Sequence, residues 1–406
     1  MMVVNTDVVI VGAGPAGACA ALSLLTYSTL KVVVLEQSDF SQPRVGEHVS
    51  DSLFSLLAYL KLTKADFPTH CFMPCYGDTA YWGSDLPRVR DAIFSSENAS
   101  VQLDREAFDF TLIEQIVTRG GSVYPRTHCT VTKSCVTKST VTKGAADAAA
   151  NWILQCTHPE QSPFQINARY VIDASGRSSS WSRQLGGQLH KLDQLMGAGR
   201  FFALPDTSLK GASQTGTSQP ERPQQQIIES CEHGWWYGAL LPNQHYVATF
   251  FSDADIISKL RLNQHQHWQQ LLQQTTHLKH AVADAQALSA HPWVRNAASQ
   301  YSDVSQIEHF IAIGDAACAF DPISSMGLGF AISSACHAAR LVINELAAAP
   351  PPPDRDSAST NHPPAKQLYQ HDLHQHFSGY QTLRQSFYRA EARWSNAPFW
   401  QRRQSG

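Results

Sequence analysis

The chain has 406 residues, 43% of them hydrophobic and 16% charged, with a formal net charge of −3. This excludes a disordered chain and allows a sizeable core, either two or three domains or one large α/β unit with a subdomain. No basic field points to nucleic acid, and no apolar run reaches the ~18 residues a membrane-crossing helix needs. The N-terminus, MMVVNTDVVIVGAG, has no basic region before its apolar stretch and reads as a first strand, not a signal peptide. Nine scattered cysteines, an odd number, predict reduced thiols and a cytoplasmic location. Cys71 and Cys75 have no second Cys/His pair of zinc-ligand spacing after them, so no metal is expected.

In chain order, residues 7–11 (DVVIV) predict a buried strand. Gly12-Ala13-Gly14-Pro15-Ala16-Gly17 follows, then a small-residue helix over 18–25 and a second strand over 32–35 that ends at Glu36, completing one βαβ unit. Helices are predicted over 51–62 and 106–118, strands and loops with Trp82 over 70–104, a strand pair over 122–143 and a turn over 144–150. A buried strand at 170–173 precedes a polar loop at 205–226 and a strand-rich stretch at 227–251. Residues 263–280 carry one apolar helical face, Trp268, Leu271, Leu272 and Leu278. A third buried strand at 310–313, a long helix over 327–348, a proline-rich linker at 350–366 and a helical segment over 366–394 complete the chain.

Two motifs carry chemistry. Gly12, Gly14 and Gly17 form G-x-G-x-x-G between a strand and a helix, where backbone amides and the helix dipole receive a pyrophosphate. Glu36 is placed to accept hydrogen bonds from ribose hydroxyls. The second motif runs from Gly314-Asp315 through Asp321-Pro322 to Gly327-Leu328-Gly329, where a carboxylate can hold a polyol and a helix N-terminus can face an anionic ring edge. Together they resemble the FAD-binding signature of the flavoprotein monooxygenase superfamily, the para-hydroxybenzoate hydroxylase type, which also contains flavin-dependent halogenases. The resemblance implies an α/β fold: a Rossmann-like FAD-binding domain with an inserted β-sheet substrate domain and a helical C-terminal segment. It assigns 1–69, 104–183 and 291–348 to FAD, 70–103 and 184–290 to substrate, 349–366 to a linker and 367–406 to the C-terminal helices.

The same resemblance implies non-covalent FAD held by Gly12, Gly14, Ala16, Gly17, Glu36, Arg44, Arg105, Gly314, Asp315, Pro322, Gly327, Leu328 and Gly329. Ser175-Gly176 stands where the aromatic hydroxylases carry an Asp-Gly pair that serves FAD and NAD(P)H, so the electron donor, NAD(P)H or a separate reductant, stays open. Halogenases need a lysine at the start of the substrate region, and none stands between Lys64 and Lys133. Trp82, Trp235, Trp236 and Tyr237 are candidates for the substrate pocket, and no catalytic acid or base stands out.

With Trp82-Gly83-Ser84 and the W-W-Y stretch, the C-terminal F-Y-R-A-E-A-R-W and F-W-Q-R-R segments are similar to the flavoproteins that mature quinone-cofactor oxidases. That narrower resemblance implies hydroxylation of a tryptophan side chain in the precursor of a partner amino-acid or amine oxidase, during tryptophylquinone biogenesis. Oxygen would come from O2 through a flavin C4a-hydroperoxide. Arg389, Arg393, Arg402 and Arg403 then form a basic edge for an acidic partner surface. A small-molecule aromatic hydroxylase, a reductase of unsaturated chains and a non-catalytic flavin-bearing escort are the alternatives. His265, His267, His371, His374 and His376 lack acidic or Cys partners at helical spacing and read as solvated surface.

Overall fold

The computed structural model describes residues 1–75, 77–91, 100–134, 152–205, 226–347 and 364–404. The turn expected at 144–150, nearly all of the loop at 205–226 and most of the linker at 350–366 lie outside the described residues.

The continuous apolar runs make the centre of a mixed seven-stranded sheet. Met2–Val11 pairs in parallel with Val32–Leu35 on one side and with Phe164–Asp173 on the other, and Phe310–Ala312 joins Phe164–Asp173, also in parallel. Val8, Val9, Ile10, Val34, Val171, Ile172 and Ile311 have no exposed surface, so these strands are buried on both faces and show no polar alternation in the sequence. The helix Pro15–Tyr27 follows the first strand, with Pro15 in its first turn, where a missing N–H breaks no helical bond. Its small residues from Ala16 to Ala21 are buried and let it lie close against the helices Arg105–Thr118 and Gly327–Ala347.

Of the strand pair expected over 122–143, residues 135–143 lie outside the described residues, and the two described strands do not pair with each other. Ser122–Tyr124 adds to Val32–Leu35 in parallel, whereas His128–Ser134 pairs antiparallel with Trp152–Thr157, a strand whose buried Trp152, Leu154 and Cys156 alternate with more exposed residues.

A second sheet has eight strands. Leu195–Ala203, His245–Asp253, Gly234–Leu240 and Gln226–Cys231 are antiparallel neighbours in that order. Gly77–Tyr81 extends the sheet beyond Gln226–Cys231, and Trp293–Asn296 pairs with Leu195–Ala203, so the sheet draws on residues past 290. The helical face expected within 263–280 is split between His265–Gln273 and Leu278–Ala281, and its Trp268, Leu271, Leu272 and Leu278 cover one side of this sheet.

The C-terminal segment forms two helices, Ala365–Arg389 and Pro398–Gln404, each with one buried face. Tyr388, Phe399 and Trp400 enter a buried cluster with Trp82, Leu195, Trp235 and Phe251. Three arginines of the expected basic edge are neutralised within the chain. Arg403 is buried on Asp253 at 2.6 Å, Arg402 pairs with Asp253 and Asp255 at 2.8 Å, and Arg393 pairs with Glu391 at 2.7 Å and with Asp85. Their carboxylate partners lie mostly far away in sequence, so only the fold reveals the pairing. No helix among the described residues is long and apolar enough to cross a membrane.

Candidate active site

The first crossover is shaped by two kinds of glycine. Gly12 sits at φ +110°, and a Cβ there would stand 2.3 Å from the Ala174 carbonyl oxygen; a Cβ on Gly17 would stand 1.9 Å from the Gly12 carbonyl oxygen. These two let the chain pack on itself. At Gly14, Gly327 and Gly329 a Cβ would meet nothing within 4 Å, so the N-termini of Pro15–Tyr27 and Gly327–Ala347 have open space in front of them, as an anion-binding site needs. Ala16 brings the two motifs together: its methyl group lies 2.7 Å from where a Cβ on Gly314 would stand.

Glu36 is held beside the glycine loop, its carboxylate accepting the Ala13 and Ser38 amides at 2.8 Å each. Arg44 and Arg105 share Asp109, at 2.5 and 3.1 Å. Arg105 also donates to the carbonyls of Val45 (2.5 Å) and Gly46 (3.1 Å). Asp315 pairs with Arg177 at 3.2 Å.

A cavity of about 320 Å³ opens between these loops and the second sheet. Pro15, Arg105, Asp315, Pro322, Gly327 and Leu328 line it from the loops; Trp235, Tyr237, Phe251 and Trp293 line it from the sheet. Strand alternation divides the three aromatics of Gly234–Leu240. Trp235 and Tyr237 face the cavity, whereas Trp236 packs on the opposite side against Trp268 and Phe250, with ring centroids 5.2 and 5.1 Å away. Trp82 does not line the cavity either. It is buried edge-on to Trp235 and Trp400, and its indole N–H donates to the Phe387 carbonyl at 3.0 Å.

The structure adds residues that the sequence reading gave no role. Glu47, only 4% exposed, lines the cavity; burial raises its pKa, and the Arg105 guanidinium opposes that. His48 is beside it, with its pKa lowered by burial and raised in part by Asp78. Arg177, Trp293, Arg295 and Asp321 also reach the cavity. Asp321 has no exposed surface and accepts from Tyr388 (2.7 Å) and Arg384 (3.2 Å), while Tyr388 accepts the Trp235 indole N–H at 3.1 Å. The C-terminal helix is thereby bonded both to the cavity wall and to the second motif. Asp321 stands in the second motif and Glu47 three residues after Arg44, but a lone acidic residue in a polar stretch reads as solvated until its surroundings are known.

The five histidines noted in the sequence belong to no cluster of ligand-type side chains among the described residues. His48, Cys75 and Asp78 do come together, one donor atom of each within 4.8 Å of the others. Cys75 Sγ lies 3.9 Å from Asp78 Oδ1, a thiol–carboxylate contact that joins those two without an ion.

A Rossmann-like crossover, a second glycine motif touching it and a cavity where both meet an aromatic sheet define an FAD-dependent oxidoreductase. A family model described as FAD binding domain matches residues 135–367, and one described as tryptophan halogenase matches 7–102. The chain is 39% identical over 397 residues to a protein of Marinomonas mediterranea named as an FAD-dependent oxidoreductase, LodB, with 98% of this chain and 96% of that one covered. Tryptophan 2-halogenase of Chondromyces crocatus is 23% identical, over 98% of this chain and 70% of its own. Among solved structures, the myxobacterial chondrochloren halogenase CndH superposes with a TM-score of 0.74 at 18% identity, covering 98% and 86%. The peptidyl tryptophan dihydroxylase QhpG superposes with a TM-score of 0.62 at 21% identity, covering 98% and 79%. The chain belongs to the FAD-binding family of flavin-dependent monooxygenases and halogenases, and its mixed α/β architecture is theirs.

Proposed function

We propose that the protein is a flavin-dependent monooxygenase that hydroxylates a tryptophan side chain in the precursor of a quinone-cofactor oxidase, with the alternatives of a small-molecule hydroxylase or a flavin-bearing escort as outcomes of the test. The observation that carries this reading is the cavity itself, bounded by the flavin-type loops on one side and by Trp235, Tyr237, Phe251 and Trp293 on the other. QhpG, described as a peptidyl tryptophan dihydroxylase essential for tryptophylquinone cofactor biogenesis, shares the fold and supports the substrate class. Hydroxylation is favoured over halogenation because no lysine lines the cavity among the described residues.

The residues present fit FAD. The open faces at Gly14, Gly327 and Gly329 leave room for it, Glu36 and Asp315 offer carboxylates to its hydroxyls, and Arg105 is a cation at the cavity wall. FAD, bound without a covalent link, supplies the electrons and the activation of O2. The chain's own part is to hold an indole against aromatic faces, at about 1 kcal/mol per well-placed pair, and to keep water out.

Direct reduction by NADPH is slow in this reading. The Asp173 carboxylate ahead of Ser175-Gly176 is fully buried and occupied by the Ser175 amide (2.9 Å), the Ser182 amide (2.8 Å) and the Ser182 hydroxyl (2.7 Å), so it has nothing to offer a nicotinamide. Anaerobic mixing with NADPH checks this, and rapid bleaching of the flavin would refute it.

The test of function is co-expression with a neighbouring quinoprotein oxidase, reading the mass of its tryptophan peptide. Added oxygen with the wild-type chain and none with Gly14→Val supports the reading. Oxygen in both, or in neither, removes the enzyme role; a free aromatic metabolite hydroxylated in place of the peptide makes it a small-molecule enzyme.

A further inference from the structure

Glu47 is unlike the other charged groups at the cavity. Arg105, Arg177, Asp315 and Asp321 all have partners in ion pairs or hydrogen bonds. The Glu47 and Gly46 amides favour the charged Glu47 carboxylate, yet its Oε1 is buried and has no hydrogen-bond partner among the described groups. The backbone around it, by contrast, is firmly fixed. Gly46 turns the chain at φ +93°, a conformation that favours glycine. Arg105 donates to the Val45 and Gly46 carbonyls, the Glu47 carbonyl accepts the Leu103 amide at 2.9 Å, and Arg295, from the second sheet, donates to the Pro43 carbonyl at 2.6 Å. A buried acceptor left without a donor is costly, and one held in place at a cavity wall points to a donor on the ligand.

We propose that Glu47 accepts the N1–H of the substrate indole and takes up that proton as the ring is oxygenated; this rests on the indole reading above. Its surroundings suit the role, since Trp235, Tyr237 and Phe251 line the same cavity while Glu47 is the one carboxylate of the cavity with an unpartnered buried oxygen among the described residues.

A ring carbon gives an electron pair to the electrophilic oxygen derived from O2, a C–O bond forms and the O–O bond breaks; the ring loses two electrons and the oxygen gains them. The positive charge spreads to N1, and the N1–H bond breaks toward Glu47. The C–H proton of the oxygenated carbon then returns to N1, restoring the aromatic ring. The proton held by Glu47 passes to the departing oxygen, which leaves as water. Reduced FAD supplies, with O2, two electrons and two protons: one proton stays on the oxygen that becomes the ring hydroxyl, and the other joins the proton from Glu47 in the water.

Oxidised holoprotein titrated with indole and with 1-methylindole, read by the change in flavin absorbance, tests the assignment. Wild type is expected to bind indole about tenfold more tightly than its N-methyl analogue, the size of effect a hydrogen bond to a charged group gives. In Glu47→Leu the ratio falls to about one, and in Glu47→Gln, which keeps a neutral acceptor, to about three. Flavin content and circular dichroism report whether each variant is folded, and Glu47→Gln carries the comparison if Glu47→Leu loses its flavin. Equal binding of the two probes by wild type, or a ratio unchanged in the variants, overturns the role of Glu47 and leaves the indole reading standing. If neither probe alters the flavin spectrum, the indole reading fails and the assignment falls with it.

Discussion

The glycine loop at 12–17 and the helices at 365–404 are both conspicuous in the sequence, one for its spacing and the other for its aromatics and arginines, yet they carry very different information. The loop's requirements are local. Gly17 is needed because the Gly12 carbonyl, in the same loop, stands where a side chain would be, and Gly12 because the chain turns there at φ +110°. The C-terminal arginines take their meaning from distant groups: Asp253 for Arg402 and Arg403, Asp85 for Arg393, Asp193 and Asp321 for Arg384. A pattern that constrains nearby backbone can be read without the fold. A cluster of charges beside aromatics has the same appearance whether it faces solvent or seals a core.

The largest effect that separates the two belongs to the loop. Gly14 has φ −68° and ψ −179°, a conformation any residue adopts, and open space beside it. Gly14→Val is therefore expected to fold as wild type and to bind no flavin. Gly12→Val, strained at φ +110° and colliding with Ala174, is expected not to fold. Circular dichroism together with the 450-nm-region flavin absorbance distinguishes the two, and a yellow Gly14→Val protein would show that the open space is not the flavin's.

The C-terminal arginines should affect stability, not association with a partner. Arg403→Leu leaves Asp253, 2% exposed, with Arg402 alone and a buried partner gone, at a cost of about 3 kcal/mol. The urea midpoint of the holoprotein measures this. A variant as stable as wild type that binds its oxidase more weakly would restore the docking edge and break the contrast.

A smaller effect is expected at Glu391. Burial pushes its pKa up, but the hydrogen bonds from Arg393, the Ser230 hydroxyl and the Gly83 amide outweigh this and leave it below the ordinary carboxylate value. A depressed folded pKa contributes stability above the unfolded value, near about 4.3, and that contribution is lost as pH falls through the folded pKa. Glu391→Gln should accordingly be less stable than wild type at neutral pH, with the difference shrinking in acid. Urea midpoints between pH 7 and pH 3 show whether the two curves converge.

Much of the fold was legible, for the reason the loop was legible. The parallel strands at 7–11, 32–35, 170–173 and 310–312 are apolar on both faces, and the two glycine motifs announce the turns that follow strands. The strand Trp152–Thr157 was missed because its outward Gln155 and Thr157 break up the apolar run. The site was legible only in part. Arg105, Asp315, Pro322 and Leu328 are at the cavity, but Glu47 gave no signal, since burial is what sets it apart and burial is a property of the whole chain. Trp82 reads as a pocket residue and the C-terminal arginines as a docking edge because nothing in their own segments shows what they pack on or pair with.

The smallest expected effects lie within a single strand, where two neighbouring aromatics reproduce the same contrast. Trp236 is a core residue packed edge-to-face on Trp268, whereas Tyr237 lines the cavity. Trp236→Phe removes part of a buried ring and should cost about 1–2 kcal/mol of stability while leaving the affinity for indole within about twofold, a difference worth less than 0.5 kcal/mol. Tyr237→Phe keeps the ring, so its packing is retained, but it removes a hydroxyl from the cavity wall. Its melting temperature should stay within about 2 °C of wild type, and its affinity for indole should shift severalfold. The two readouts exchange places between adjacent residues only if strand alternation, not the identity of the side chain, decides which aromatic meets the substrate. If Trp236→Phe changed indole binding more than Tyr237→Phe, the cavity would not be the place where the indole sits.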